Sequence, residues 1–400
     1  MQLEQLNIPK PEMSKVANAH DTETQLYFYY LRFIESFGPA SKIKKEIEED
    51  PRVQALNGKS ISNGSGSSAF QAQTLTIWFL WAINEFGKSV AEDALNRFLN
   101  SVDIPVINAL WVLGIEVVEP IELDNGIRIV SINEMPTSRE KEQYSKHEFG
   151  YLATRSIPKP TAAITYKCDV KKIEVDGDPI LENPIAWESW KLLDEVALLL
   201  NALDGVSCLP YFSTSYTLPE MPMGIFAGSG GGAGLYDIYG FSQSKLLPTS
   251  AGEINKLKNA YGKLTAGNKL RMRRVLSRLS QGKRRDQIED KILDIGIALE
   301  MALLADNKNN DQLSMTFRLR GSWLVSADHE ERQVIYKKLR DLYNWRSQVA
   351  HGGELCGNDG VKIEAVRKSF HEYESLASRI IRELIYTTDL DWTKIILGAA

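Results

Sequence analysis

"HEERQVIYKKLRDLYNWRSQVAHGG", residues 329–353, decides how the second half of this chain is read. Asp328 stands where a helix N-cap is expected, and Glu331 is spaced for a capping box. Gly352 and Gly353 close the run, as glycine does just past a helix C-terminus. The expected helix therefore carries Arg346 five residues before a terminal His351.

Working outward from it, every segment from about Ala251 reads as helix. "EINKLKNAYGKL" and "NKLRMRRVLSRLS" precede it, and "QIEDKILDIGIALEMALLAD" has an apolar stripe at 292, 295, 299, 302 and 303. "QLSMTFRLRGSWLV" leads into the helix, and "VKIEAVRKSFHEYESLASRIIRELIY" follows it. Short links between helices of this kind make an antiparallel bundle. Upstream, the period changes. "WVLGIEVVEPIELDNGIRIVSI" alternates around Asp124-Asn125-Gly126, a hairpin signal, and "TAAITYKCDVKKIEV" reads as another strand. "NPIAWESWKLLDEVALLLNAL" (183–203) returns to helix. Residues 21–50 read as two helices about a Gly-Pro break. Residues 69–100 read as one strong helical segment with Trp78, Trp81 and Phe86 in the core. The expected class is α+β: a helical region 1–110, a β-rich region 111–250 and an all-helical region 251–400.

Two glycine-containing stretches invite a phosphate-binding reading. "NGKSISNGSGSS" (57–68) lacks the upstream glycine of a phosphate loop and reads as a flexible turn. "GIFAGSGGGAGLYDIYG" (224–240) is not followed by a helical pattern, so a loop or flap is expected.

The 43% hydrophobic and 25% charged fractions are those of a globular chain. No apolar run is long enough to span a membrane, and the first residues lack a signal-peptide pattern. Cys168, Cys208 and Cys356 are odd in number and far apart, which points to a reducing, cytoplasmic setting. With five histidines and no CxxC or HxxxH pair, neither a metal site nor a cofactor is expected. The net charge of −5 is uneven: residues 249–400 hold 26 Lys and Arg against 20 Asp and Glu. Within them "KLRMRRVLSRLSQGKRR" (269–285) carries eight bases and no acid. Arg271, Arg274 and Arg278 share a helical face, with Lys283, Arg284 and Arg285 following. Such a strip can hold an RNA backbone, or can be a solvated face pairing with the acidic first half.

The helices of residues 251–388 resemble the HEPN superfamily, and within it the ApeA-like domains of prokaryotic defence proteins. "IEDKILDIGIALEMALL", "QLSMTFRLRGSWLV" and "LRDLYNWRSQVAHGG" carry the likeness. The last matches the family's arginine, four to six variable residues, and histidine at a helix end. The resemblance implies a dimeric, metal-independent endoribonuclease that cuts tRNA or mRNA in antiviral defence by abortive infection. The catalytic residues would be Arg346 and His351. Ser347 stands where many active members carry Asn, Asp or His after the arginine, which leaves open a non-catalytic module that binds nucleotide or protein. A toxin restrained by a partner, or an enzyme released by a phage trigger, is also compatible.

The chemistry fits the residue types. RNA supplies its own 2′-hydroxyl nucleophile, so the protein must move protons and stabilise charge. Imidazole does the first and guanidinium the second. On an ideal helix, a spacing of five residues sets the two side chains roughly 140° apart. Either the last turn unwinds, or a two-fold partner completes the site. Apart from catalysis, a basic helix end that complements the dipole would look the same. Glu300, inside "IALEMALL", either orients an arginine of the site or faces solvent. Tyr343 and Trp345 are expected to pack rather than stack on bases, and His371 to lie at the surface.

Overall fold

The structure is a computed structural model that describes residues 20–62, 67–135, 160–174, 184–217, 221–222, 243–306, 312–352, 355, 359–387 and 390–397. It is α+β, and among the described residues the strands lie before residue 247 and the elements after it are helical. Instead of three consecutive blocks, the chain forms two compact units that interleave along the sequence. One takes Met1–Trp111, Val130–Leu193 and Tyr211–Gly234, and the other Val112–Ile129, Asp194–Pro210 and Leu235–Ala400.

In the first unit, helices α1 (His20–Ser36), α2 (Gly38–Glu48), α4 (Ala72–Phe86) and α5 (Lys88–Asn100) surround a core built on Tyr30, Ile43, Trp78, Phe79 and Phe98. A one-turn α3 (Pro51–Gln54) is capped by the Asp50 side chain. The expected single segment over 69–100 is two helices, broken at Gly87, whose φ of 88° favours glycine. Trp78 is buried as expected, Trp81 only partly, and Phe86 is 36% exposed, because it sits in the last turn before that break. The stretch expected as a loop at 57–68 instead contributes strands β1 (Ser60–Ser62) and β2 (Ser67–Ala69), paired antiparallel. The edge of β1 is taken by β8 (Ile173–Glu174), and ladder hydrogen bonds replace the side-chain pattern that Ser and Gly lack.

The largest sheet has the order β5 (Ile121–Glu122), β6 (Ile127–Ser131), β7 (Ala162–Lys171), β3 (Asp103–Leu113) and β9 (Leu209–Thr217). Ile121 faces Ile129 across the expected hairpin, and Asn125 and Gly126 both take left-handed φ, at 68° and 75°. A separate parallel pair joins β4 (Ile115–Val117) to β10 (Ser244–Leu246).

The helical part of the second unit comprises the end of α6 (Pro184–Leu200), α7 (Ala251–Lys263), α8 (Ala266–Arg284), α9 (Ile288–Leu303), α10 (Leu313–Val325), α11 (His329–Ala350), α12 (Gly360–Tyr386) and the short α13 (Trp392–Leu397). The stripe on α9 is the seam of this bundle: Ile292, Ile295, Leu299, Ala302 and Leu303 are all buried. Two glycines let helices approach closely. A Cβ on Gly282 would lie 2.5 Å from Ile295 of α9, and one on Gly321 of α10 would lie 2.5 Å from Leu339 of α11. Antiparallel α11 and α12 are pinned by Lys338–Glu372 at 2.5 Å and Arg379–Glu331 at 2.7 Å. None of the described helices is long and apolar enough to cross a membrane.

Candidate functional site at the tip of helix α11

Helix α11 begins as its sequence dictates at one end of the cap only. The Asp328 carboxylate accepts the Glu331 N–H at 2.7 Å. The expected return bond from Glu331 is not made. Its carboxylate instead accepts from Ser326 Oγ at 2.6 Å and from Arg379, and Ser326 Oγ satisfies the Asp328 N–H. Arginine outbids a backbone amide for a carboxylate because the pair is charge-assisted. Further along, Tyr343 packs its ring 5.5 Å from Phe317, and Trp345 lies 5.1 Å from Tyr373. Both rings are therefore bundle contacts, and they fix the rotation of α11 about its axis.

That rotation turns Arg346 toward α9. Its stem lies over Gly296, where an added Cβ would come within 2.8 Å of Arg346 Cγ. One turn further along the same face, Glu300 meets Arg346 Nη2 at 2.8 Å. Glu300 is thus half-buried and paired, not facing solvent. Burial pushes its carboxyl up from the ordinary value, and the Arg346 charge opposes that shift. Arg346 Nε is buried and has no hydrogen-bond partner among the described residues.

His351 is the C-cap and is exposed. Its N–H still donates to the Ser347 carbonyl at 3.2 Å, the helical pattern, and only Gly352, with φ of 73°, turns the chain away. The last turn is therefore not unwound ahead of the histidine. Arg346 faces α9 while His351 faces outward, and Ser347 between them is half-buried.

The basic strip expected on α8 is taken apart by tertiary contacts. Lys283 is only 7% exposed, and its ammonium donates to the carbonyls of Asn201, Leu203 and Val206 at 2.7, 3.4 and 2.6 Å. It plugs the C-terminal end of α6 and is no RNA contact. Burial pulls its pKa down to about 8, with Glu374 and Asp204 opposing. Arg278 and Arg285 both grip the buried carboxylate of Asp294, each at 2.8 Å. Arg284 is half-buried and donates to the Ser280 carbonyl at 2.9 Å. Arg271 is half-buried, and Arg274 remains exposed. The six residues do not line one solvent face.

The sequence reading overlooked a different row. On α11, Lys337, Arg340, Asn344, Gln348 and His351 are all exposed, at spacings of three and four residues that put them on one face. Counting back from His351 at helical period would have found it. His371, also exposed, takes its own contact at the Lys368 carbonyl, 3.0 Å from Nδ1. The glycine-rich stretch 224–240 lies outside the described residues. Comparison with protein-family models, with curated proteins and with solved structures returns no match.

Proposed function

We propose that the helical part of this chain is an endoribonuclease of HEPN type, acting on RNA in antiviral defence. The observation that carries this reading is the tip of α11. There Glu300 and Gly296 hold a half-buried arginine in place, one and a half turns before an exposed histidine. The guanidinium is tethered through Nη2 and its Nε is buried, so Nη1 is the group it would offer to a phosphate oxygen. His351 is open to a substrate from the same side as Lys337, which gives a phosphate backbone a cation along the way, while Arg340 on that face is paired with Asp341 at 3.1 Å.

In this reading the 2′-oxygen attacks the adjacent phosphorus as its proton passes to an imidazole. The bond from phosphorus to the 5′-oxygen breaks as that oxygen receives a proton, leaving a cyclic phosphate and a 5′-hydroxyl. Arginine balances the charge added at phosphorus. The helical hydrogen bond at His351 keeps the pair splayed. A homodimer in which two α11 tips face each other supplies two histidines, one to take the proton and one to give it, and an arginine from either subunit.

The test is incubation of the purified protein with total RNA in the presence of EDTA. The expected result is cleavage that falls by about 100-fold or more in both Arg346→Ala and His351→Ala, a scale typical of lost acid–base catalysis, with helicity unchanged. Cleavage unaffected by either change ends the proposal.

One observation favours a second reading, that of a non-catalytic binding module. Arg346 is already paired to Glu300, and the residue after it is Ser347 instead of the Asn, Asp or His that many active members carry. Under that reading Arg346→Ala weakens ligand or RNA binding while the wild type cuts nothing.

A further inference from the structure

A phosphate that meets both Arg346 and His351 must lie on the flank of α11 between them. At about 100° per residue, Arg346 falls about 140° to one side of His351. Ser347, Tyr336, Tyr343 and Arg332 fall about 40°, 60°, 80° and 100° to that same side. The flank that joins the two site residues therefore continues up α11 to Tyr336 and Arg332, where α10 packs beside it. Two arginines are laid on aromatic rings there. The Arg332 guanidinium is 3.8 Å from the centre of the Trp323 ring, and that of Arg318, on α10, is 4.8 Å from the centre of the Tyr336 ring.

Backbone carbonyls fix both arginines. Arg332 donates from Nε to Asp328 at 3.2 Å and from Nη2 to Ala327 at 2.6 Å, and Arg318 donates from Nε to Ser314 at 2.9 Å. Neither forms an ion pair among the described residues. Arg332 Nη1 and both Nη groups of Arg318 have no hydrogen-bond partner among them either, and all three keep surface toward solvent. Lys337 is exposed and unpaired in the same sense. The nearby carboxylates are engaged elsewhere: Glu300 by Arg346, Glu331 by Arg379, Asp341 by Arg340, and Asp328 by the α11 N-terminus. Exposed Glu330 falls about 60° to the other side of His351.

An arginine laid on a ring and tethered at Nε meets a phosphate without first losing the rotamer freedom of a loose side chain. The two stacked pairs stand one helical turn apart, about 6 Å, so they offer successive contacts to one strand. Guanidinium–ring stacks also suit unpaired bases, whose faces a duplex keeps covered. We infer that this flank is a subsite for an unpaired RNA strand leading to the cut. Arg318 and Arg332 hold its phosphates, and Lys337 adds a contact at the rim. The subsite rests on the nuclease reading for the course of the strand past the α11 tip.

Fluorescence anisotropy of a labelled oligouridylate of about 12 nucleotides, a length such tracks cover, tests it. The full chain is used in EDTA, with His351→Ala to block cleavage. The strand is expected to bind more tightly than its duplex with oligoadenylate. Arg318→Gln with Arg332→Gln should weaken binding about tenfold or more and lower the slope of log affinity against log salt by about 1.4, the loss of two phosphate contacts. Arg318→Gln alone should lower it by about 0.7, and it decides the matter if the pair costs helicity. Arg274→Gln, which removes an exposed cation of α8, should change neither quantity. Unchanged affinity and slope in the Arg318 and Arg332 variants overturn the subsite. So do a duplex that binds as tightly as the strand, equal competition by polyglutamate, or no binding at micromolar concentration. Strand binding of the expected kind by a wild type that cuts no RNA ends the nuclease reading alone. Cleavage by the wild type, with binding unchanged in the variants, ends the subsite alone.

Discussion

A single hydrogen atom at position 296 decides where Arg346 lies. Gly296→Ala places a methyl group 2.8 Å from Arg346 Cγ, so the arginine must leave the face of α9 on which Glu300 waits. On the nuclease reading, Gly296→Ala lowers cleavage about tenfold or more, since a displacement of this size misplaces a charge meant for the transition state. The melting temperature should move far less than it does for a large core cavity. Glu300→Gln keeps the shape but removes the charge that holds the guanidinium. The expected signature is a fall in kcat larger than any rise in KM, measured on one defined RNA. Equal activity of both variants and wild type would remove these residues from the positioning of Arg346. Arg346 and His351 were legible as types and spacing. The burial of Arg346 was not, because it depends on a glycine of another helix, and glycine leaves no mark in a pattern of apolar residues.

At the scale of the element, Lys283 is the sharpest case of a residue misread from its neighbours. Surrounded by bases in the sequence, it is the donor that closes the end of α6 by binding three carbonyls. Lys283→Met leaves those carbonyls without it and is expected to destabilise the fold by about 2–4 kcal/mol in chemical denaturation. Its pKa falls from the usual 10.5 to about 8 on folding. Between those values the unfolded chain holds a proton that the folded chain does not, so stability contributed at this position rises with pH from about 8 to 10.5 and is flat below. The difference in stability between wild type and Lys283→Met, followed over that window, should grow with pH. A difference that stays constant or shrinks contradicts the buried, depressed lysine. Gly321→Ala drives a methyl group to 2.5 Å from Leu339 and should lose about 1–3 kcal/mol to overpacking between α10 and α11. Elements marked by local chemistry were readable in advance: the Asn125-Gly126 turn, the Asp328 cap and the α9 stripe each follow from a few adjacent residues. The β1–β2 ladder was not, since Ser and Gly give no alternation. Nor was the diversion of Glu331, whose partner Arg379 lies 48 residues away.

For the whole molecule, the splayed geometry of Arg346 and His351 makes oligomeric state the deciding quantity. Light scattering should report a dimer. When His351→Ala subunits are exchanged with wild type in equal amounts, a cleft needing both histidines retains about one quarter of the activity, whereas independent sites retain about one half. The interleaving of the two units along the sequence has no counterpart in the local signals that were read. Boundaries placed at 110 and 250 follow composition, while packing follows strands that return late in the chain.

The clasp of Arg278 and Arg285 on Asp294 also bears on how this molecule meets a polyanion. Two cations share one carboxylate, so the cluster keeps a net charge of +1, and on the nuclease reading one fewer small ion would be set loose there when RNA arrives. Each phosphate engaged on a single strand steepens the logarithmic dependence of affinity on salt by about 0.7. A titration across sodium chloride concentrations should therefore give a slope about 0.7 less steep than if both arginines took part in full.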